Sequence, residues 1–231
     1  MTARELAQAN VEGVQLSLVT PETRPLAVFG DQGSDVVARL LEEAGVEFIG
    51  AAGGTHEVMV GATGEPETGD YVVTLPVLRG PEIAGVPGTD DQHFIPVDEY
   101  GRVEGLADVH AAGDAVNFPV KQGGLAAQQA DSVAEYIAAS YGAGIDPTPF
   151  RPALRGLRFT GEDPLYMRSG VAGADPNIPD AWYPLWWPPT KVAGRYLAPY
   201  LFERGDGDGL GGPPVGFIDV DIPLAAVTLP G

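Results

Sequence analysis

Residues 109–131 read VHAAGDAVNFPVKQGGLAAQQAD, which sets Gly113-Asp114, Lys121 and Gly123-Gly124 within one short run. Gly113 lets a backbone approach a ligand with no Cβ in the way, and Asp114 can accept hydrogen bonds from a sugar hydroxyl. The glycine pair precedes a strongly helical stretch, residues 125–140. Free N–H groups at a helix start, at the positive end of the macrodipole, favour negative charge on a bound anion or a reduced ring system. A Gly-Asp pair alone is also what an ordinary turn requires, so the run as a whole carries the reading.

Several elements must position these residues. The mostly apolar residues 108–112 fit a buried strand that stops at Gly113-Asp114, and residues 116–122, with Asn117, Pro119 and Lys121, fit a loop. Upstream, residues 14–19 (VQLSLV) read as a strand and residues 34–44 as a helix with Ser34 as N-cap and Gly45 as terminator. Residues 46–49 form the next strand, completing a β-α-β unit of the kind found in parallel sheets. No G-x-G-x-x-G follows a strand anywhere in the chain, so the usual glycine loop for a dinucleotide pyrophosphate is missing, and residues 11–22 take the place of a second Rossmann strand. Residues 51–69 read as short strands and turns, and 70–75 as a strand ending at Pro76. Residues 94–103 read as two short strands around a turn at 99–101, and 155–160 with 165–168 as a hairpin around 161–164.

The run LADVHAAGDAVNFPVKQGGLAAQQAD resembles the second FAD-binding motif of the pyridine nucleotide-disulfide oxidoreductase superfamily, the flavoproteins with two dinucleotide-binding domains. The nearest branch is similar to sulfide:quinone oxidoreductases and type II NADH dehydrogenases. The segments VTPETRPLAVFG, VVTLPVLRGPEIAGVP, FRPALRG and WWPPTKVAGRYLAPYL extend the likeness over about residues 1–204. The resemblance implies that Asp114 binds the FAD ribityl chain and that backbone around Gly113 and Ala115 lies near the pyrophosphate. It implies that Lys121, Gln122, Gly123 and the helix start face the pyrimidine side of the isoalloxazine, with NAD(P)H as the electron donor. Family members carry an FAD-binding β-α-β ahead of this point, and residues 4–7 resemble the helix after a second glycine loop, so the chain reads as truncated, a C-terminal portion.

The implied fold class is α/β: an incomplete Rossmann-like nucleotide-binding domain, the C-terminal part of an FAD-binding domain, and a small α+β C-terminal subdomain. The expected division is 1–75, 76–145 and 146–231. The implied function of the full-length parent is passage of electrons through flavin to an acceptor, with a quinone as one option, the chain alone being inactive. The alternative is a cofactor-free fragment or binding module that keeps the scaffold without catalysis.

Composition narrows the classes. At 231 residues and 44% hydrophobic, the chain can bury real cores. Its 32 acidic against 13 basic residues give a formal charge of -19, which argues against nucleic acid and anionic membrane surfaces as partners. No apolar run is long enough to span a bilayer and the N-terminus lacks signal-peptide features, giving a cytoplasmic expectation. The absence of cysteine removes disulfides and thiolate chemistry, including the redox cysteines of sulfide:quinone oxidoreductases, whereas hydride transfer through flavin needs none. A half-built domain exposes apolar sheet edges, so a homodimer is expected.

Other chemically capable residues read as structural. His56, His93 and His110 lack metal-ligand spacing, so no metal site is expected and no catalytic residue is assigned; His110 is read as packing within its strand. Glu22 could read a nicotinamide ribose, but without a glycine loop beside it an exposed turn residue is the reading taken. Arg79 is read as a salt-bridge partner of nearby acids, and Trp182, Tyr183, Trp186 and Trp187 as a packed loop. Residues 206–209 (DGDG) echo a calcium loop but Phe217 stands where the glutamate would be, and 217–220 could form a last strand.

Overall fold

A computed structural model describes residues 2–51, 53–54, 59–60, 66–67, 73, 75, 77–158, 165–170 and 194–206. The chain divides into two compact units, one comprising Met1–Pro76 with Leu157–Ser169 and Pro176–Tyr183, the other Val77–Gly156 with Gly170–Asp175 and Pro184–Gly231.

In the first unit, helix α1 (Thr2–Gln8) leads to strand β1 (Leu16–Val19), helix α2 (Gly30–Glu43) and strand β2 (Val46–Ile49). The two strands pair in parallel, Leu16 opposite Val46 through Val19 opposite Ile49, so the expected β-α-β unit is present. Pairing continues beyond the strands through Thr20 N–H to the Ile49 carbonyl at 3.0 Å and Ala51 N–H to the Glu22 carbonyl at 2.8 Å. Helix α2 lays Val37 against Met167, with Leu26, Phe29, Val36, Leu40 and Leu41 around them. Burying each large aliphatic contributes about 1.5–3 kcal/mol.

Helix α2 begins a full turn earlier than its sequence suggests. Leu26 and Gly30 both adopt positive φ around a 3-10 turn at Ala27–Phe29, and this chain reversal, not a serine cap, launches the helix. Ser34 is thus an interior position, 1% exposed, its Oγ without a hydrogen-bond partner among the described residues. Arg24 ties the first turn down by pairing with Asp31 at 2.7 Å and with Asp35. Gly45, at φ 65, terminates the helix as expected. Gly53–Gly54, Met59–Val60 and Pro66–Glu67 form three two-residue antiparallel strands, β3 to β5, in keeping with the short strands read there. Most of the strand expected at 70–75 lies outside the described residues.

The second unit is organised by helix α3 (Gly123–Ser140) and by single β-bridges. Val97 bridges Val103 across a turn closed by Gly101 N–H to the Asp98 carbonyl at 2.9 Å, which matches the expected turn but not full strands on its flanks. The strand expected at 108–112 does not form. Asp108 has positive φ, and residues 109–111 are held on one side by Val103 N–H to Val109 O and Ala111 N–H to Gly101 O, each 2.9 Å, with one bridge from His110 to Arg102. A strand needs a ladder, and here one rung is supplied. Ile95, Val103, Val116, Leu125 and Leu154 are buried about α3 and these bridges. Strands β6 (Ala153–Arg158) and β7 (Leu165–Gly170) pair as the hairpin expected from sequence; its residues 157–169 belong to the first unit, and its tip lies outside the described residues. Helix α4 (Leu197–Leu201) closes the described part. The aromatic cluster at 182–187, residues 207–209 and the strand expected at 217–220 also lie outside it.

Candidate functional site

The glycine–carboxylate pair forms a tight turn because neighbours on both sides hold it. Ala112 is extended, Gly113 takes φ 80, and Gly113–Ala115 make one 3-10 turn closed by Val116 N–H to the Gly113 carbonyl at 3.2 Å. A Cβ on Gly113 would stand 3.4 Å from the Ala126 methyl of α3, so the positive φ, more than space, calls for glycine. The Ala115 carbonyl accepts Ile95 N–H at 2.9 Å and Val116 is fully buried, which anchors the far side of the turn.

A side chain from the middle of α3 holds the near side. Gln129, 8% exposed, accepts Gly113 N–H on Oε1 at 2.6 Å. Asp114 is exposed, and among the described residues its carboxylate accepts no hydrogen bond. A free carboxylate beside a glycine whose backbone is fixed suits a polyol ligand.

The glycines expected to precede α3 are its first two residues. Gln122 caps them: its Oε1 accepts Leu125 N–H at 2.9 Å and its Nε2 donates to the Arg155 carbonyl at 2.8 Å. Gly123 is exposed, with open space where a Cβ would stand, so the helix start is accessible from outside. Lys121 turns inward. Its ammonium donates to the Val116 carbonyl and sits 3.8 Å from the centre of the Phe94 ring. Partial burial pushes its pKa below the usual lysine value, against the opposing pull of the Asp114 charge. Gly113, Asp114 and Ala115 therefore share one turn, linked to α3 through Gln129, while Gln122 and Gly123 lie at the helix start and Lys121 braces the intervening loop.

Three polar side chains on α3, two of them buried, went unseen in the sequence. Gln128 mimics a strand edge, accepting Ala153 N–H and donating to Ala153 O, both at 2.9 Å. Gln129 fixes the Gly113 turn. Glu135, 5% exposed, accepts the Tyr196 hydroxyl at 2.6 Å and Thr148 N–H at 2.7 Å and pairs with Arg195. Burial works to raise its pKa, but the hydrogen bonds from Tyr196 and Thr148 and the Arg195 charge outweigh it and hold the carboxyl below its usual range. Neighbouring Asp131 is shifted upward by burial, partly offset by the amides of Arg195 and Tyr196. The available signal was spacing: Leu125, Gln129 and Ser132 recur on one helical face, placing polar groups in line with an apolar one.

The remaining candidates separate. His93 lies 3.6 Å from Glu82 through Nε2, and His110 packs on Tyr136 at 5.6 Å with its Nε2 buried and, among the described residues, without a hydrogen-bond partner; it packs as expected, but from a bridge instead of a strand. His56 lies outside the described residues. Arg79 is exposed, and among the described residues no ion pair joins it to a carboxylate. Among the described residues no cluster of three acidic or histidine side chains could hold a metal, and no helix is long and apolar enough to cross a membrane.

No family model matches the chain, and no curated protein matches it. Solved structures do. The sulfide:quinone oxidoreductase of Aquifex aeolicus superposes with a TM-score of 0.66 at 16% identity over 78% of this chain and 48% of that one. A ferredoxin reductase of Rhodopseudomonas palustris gives 0.51 at 20% identity over 73% of this chain and 45% of its own. A chain of the mitochondrial ATP synthase of Tetrahymena thermophila gives 0.53 at 17% identity, covering 90% of this chain and 51% of that one. The chain thus spans about half the length of the structures it resembles. At these identities the likeness is one of fold, and the fold is an incomplete α/β, Rossmann-like one of the kind found in FAD-dependent oxidoreductases.

Proposed function

We propose that this chain is the C-terminal portion of an FAD-dependent NAD(P)H oxidoreductase that passes electrons through flavin to an acceptor, with a quinone the acceptor class suggested by the likeness to a sulfide:quinone oxidoreductase. The observation that carries the reading is the Gly113-Asp114 turn, held to α3 by Gln129 and presenting a carboxylate that, among the described residues, accepts no hydrogen bond. These residues fit the group: Asp114 would hold the ribityl hydroxyls, Gly113 and Ala115 would lie along the pyrophosphate, and Lys121, Gln122 and Gly123 would face the ring. Bound flavin would supply hydride acceptance and electron transfer. The exposed start of α3 at Gly123 favours negative charge on the reduced ring. The domain division 1–75, 76–145 and 146–231 belongs to the same proposal.

The test is the visible absorption of the purified chain after FAD is added and the excess removed, followed by FAD titration of wild type and Asp114→Ala. Weak retention is expected, reduced about tenfold or more by the substitution, equivalent to about 1.4 kcal/mol. Equal affinity in the two proteins would sink the assignment of Asp114. Exposed Val73, Leu75, Val77 and Ile83 support self-association of the chain, which sedimentation measures.

A second reading, a cofactor-free module on the same scaffold, draws on two observations. Lys121 is engaged by Val116 and Phe94, and the fold likeness reaches a chain of an ATP synthase assembly. A colourless protein on FAD addition favours it.

A further inference from the structure

A cavity of about 230 Å³ opens beside the Gly113 turn, lined among others by Val97, Glu99, Ala111, Phe118, Gln129 and Phe150. It is smaller than the roughly 300–1,000 Å³ of pockets that hold drug-sized ligands, which sets its occupant at one or two rings. Phe118 and Phe150 meet at 81° with centroids 5.3 Å apart. Two perpendicular rings make a corner in which a third can lie flat on one and edge-on to the other, the arrangement that aromatic quadrupoles favour.

Polar capacity at the cavity is uneven. Gln129 is 8% exposed and its Oε1 is taken by Gly113 N–H, while among the described residues its Nε2 has no hydrogen-bond partner. That nitrogen is not among the fully buried atoms that lack a partner, so it is open to the cavity's solvent, where the acceptor of a ligand can take its hydrogen bond. The Asp98 carboxylate is occupied by the N–H groups of Tyr100 and Arg102 and by the Arg102 guanidinium. Glu99 is exposed, and its charge repels anions from the cavity.

We propose that this cavity binds a small uncharged planar ring bearing a carbonyl, which accepts a hydrogen bond from Gln129 Nε2 and lies in the Phe118–Phe150 corner. The same amide carries the binding event to Gly113 N–H. Asp114 and the start of α3 take no part, so benzamide binding is read without FAD and its failure is distinguishable from a failure of FAD retention.

The experiment is titration of the isotope-labelled full chain with benzamide, and with benzoate as the charged counterpart, following the Gly113 amide and Gln129 side-chain resonances. Benzamide's nine heavy atoms at roughly 0.3–0.5 kcal/mol each correspond to a Kd of about 0.5–10 mM. Both resonances are expected to shift saturably, with benzoate weaker by about fivefold or more. Phe118→Leu, which keeps the wall apolar but removes the ring, and Gln129→Glu, which removes the amide donor while keeping an acceptor for Gly113 N–H, are each expected to weaken benzamide by about fivefold or more in proteins whose remaining spectrum is unchanged. The proposal is overturned by absence of a saturable shift up to ~20 mM benzamide, by equal binding of benzoate, or by affinity within about twofold in both variants.

Discussion

Gln129 and Gly113, sixteen residues apart, are joined by a 2.6 Å hydrogen bond from the glycine N–H to the glutamine Oε1. The bond runs from the middle of a helix to a turn whose glycine sits at φ 80, so an interior side chain fixes the backbone that presents Asp114. Gln129→Met keeps the volume but removes the acceptor, leaving a poorly solvated N–H. A loss of about 1–3 kcal/mol in urea denaturation is expected, with faster hydrogen exchange at Gly113. Gln129→Glu, which keeps an acceptor, is expected to retain the exchange protection. Unchanged exchange in the methionine variant would show that the bond does not hold the turn.

Gln122 joins the start of α3 to the Arg155 carbonyl with one amide. Gln122→Ala removes the N-cap and strips that carbonyl of its donor. A cost of about 1 kcal/mol is expected, seen as a thermal midpoint lowered by about 2–4 °C. A midpoint within error of wild type would mean that water replaces both bonds without loss.

Gly101 has no room for a side chain. A Cβ there would stand 2.3 Å from a Val133 methyl and 2.8 Å from the Ala111 carbonyl oxygen, at φ 72. The valine can rotate away but the backbone oxygen cannot. Gly101→Ala is expected to destabilise by about 2 kcal/mol or more, read from denaturant unfolding.

Asp131 and Glu135 are one turn apart and shifted in opposite directions. A carboxyl depressed in the folded state stabilises fully above its unfolded pKa and loses that contribution as pH falls through the folded value. Glu135→Gln should therefore show its full stability deficit near neutrality and a deficit that shrinks below about pH 4.5. Asp131 has the reverse sign: its raised pKa withdraws stability as pH rises above its unfolded value and through the folded one. Asp131→Asn should accordingly compare better with wild type near neutrality than in acid. Urea midpoints measured from pH 3 to pH 7 distinguish the two, and a pH-independent gap for either variant would remove its charge from the account.

The β1-α2-β2 unit was legible because its information is local: apolar strands, a periodic helix and Gly45 to stop it. The Gly113 turn and α3 were legible for the same reason. Local signals misplaced the start of α2, where the conformations of Leu26 and Gly30 override the attractive cap at Ser34. They also gave residues 108–112 a strand that needs neighbours on both sides. The polar partners of α3 were illegible because each lies far away in sequence: Gly113 for Gln129, Ala153 for Gln128, Arg195 for Glu135. Lys121 illustrates the same limit through its ring contact with Phe94, which lies far upstream of it in the chain.

The closure of Glu135 by Arg195 and Tyr196 sets an order of events during synthesis. The acid sits on α3, but the guanidinium and hydroxyl that neutralise it come 60 and 61 residues later. At about 5–20 residues per second, the ribosome delivers them roughly 3–12 s after the acid itself. During that interval α3 can coil but cannot bury its Glu135 face, because an unpaired carboxylate resists leaving water. Packing of this helix face therefore waits for a late segment of the nascent chain, and Gly194, whose Cβ position lies 3.0 Å from the Ala127 methyl, lets that segment settle onto the helix once it arrives.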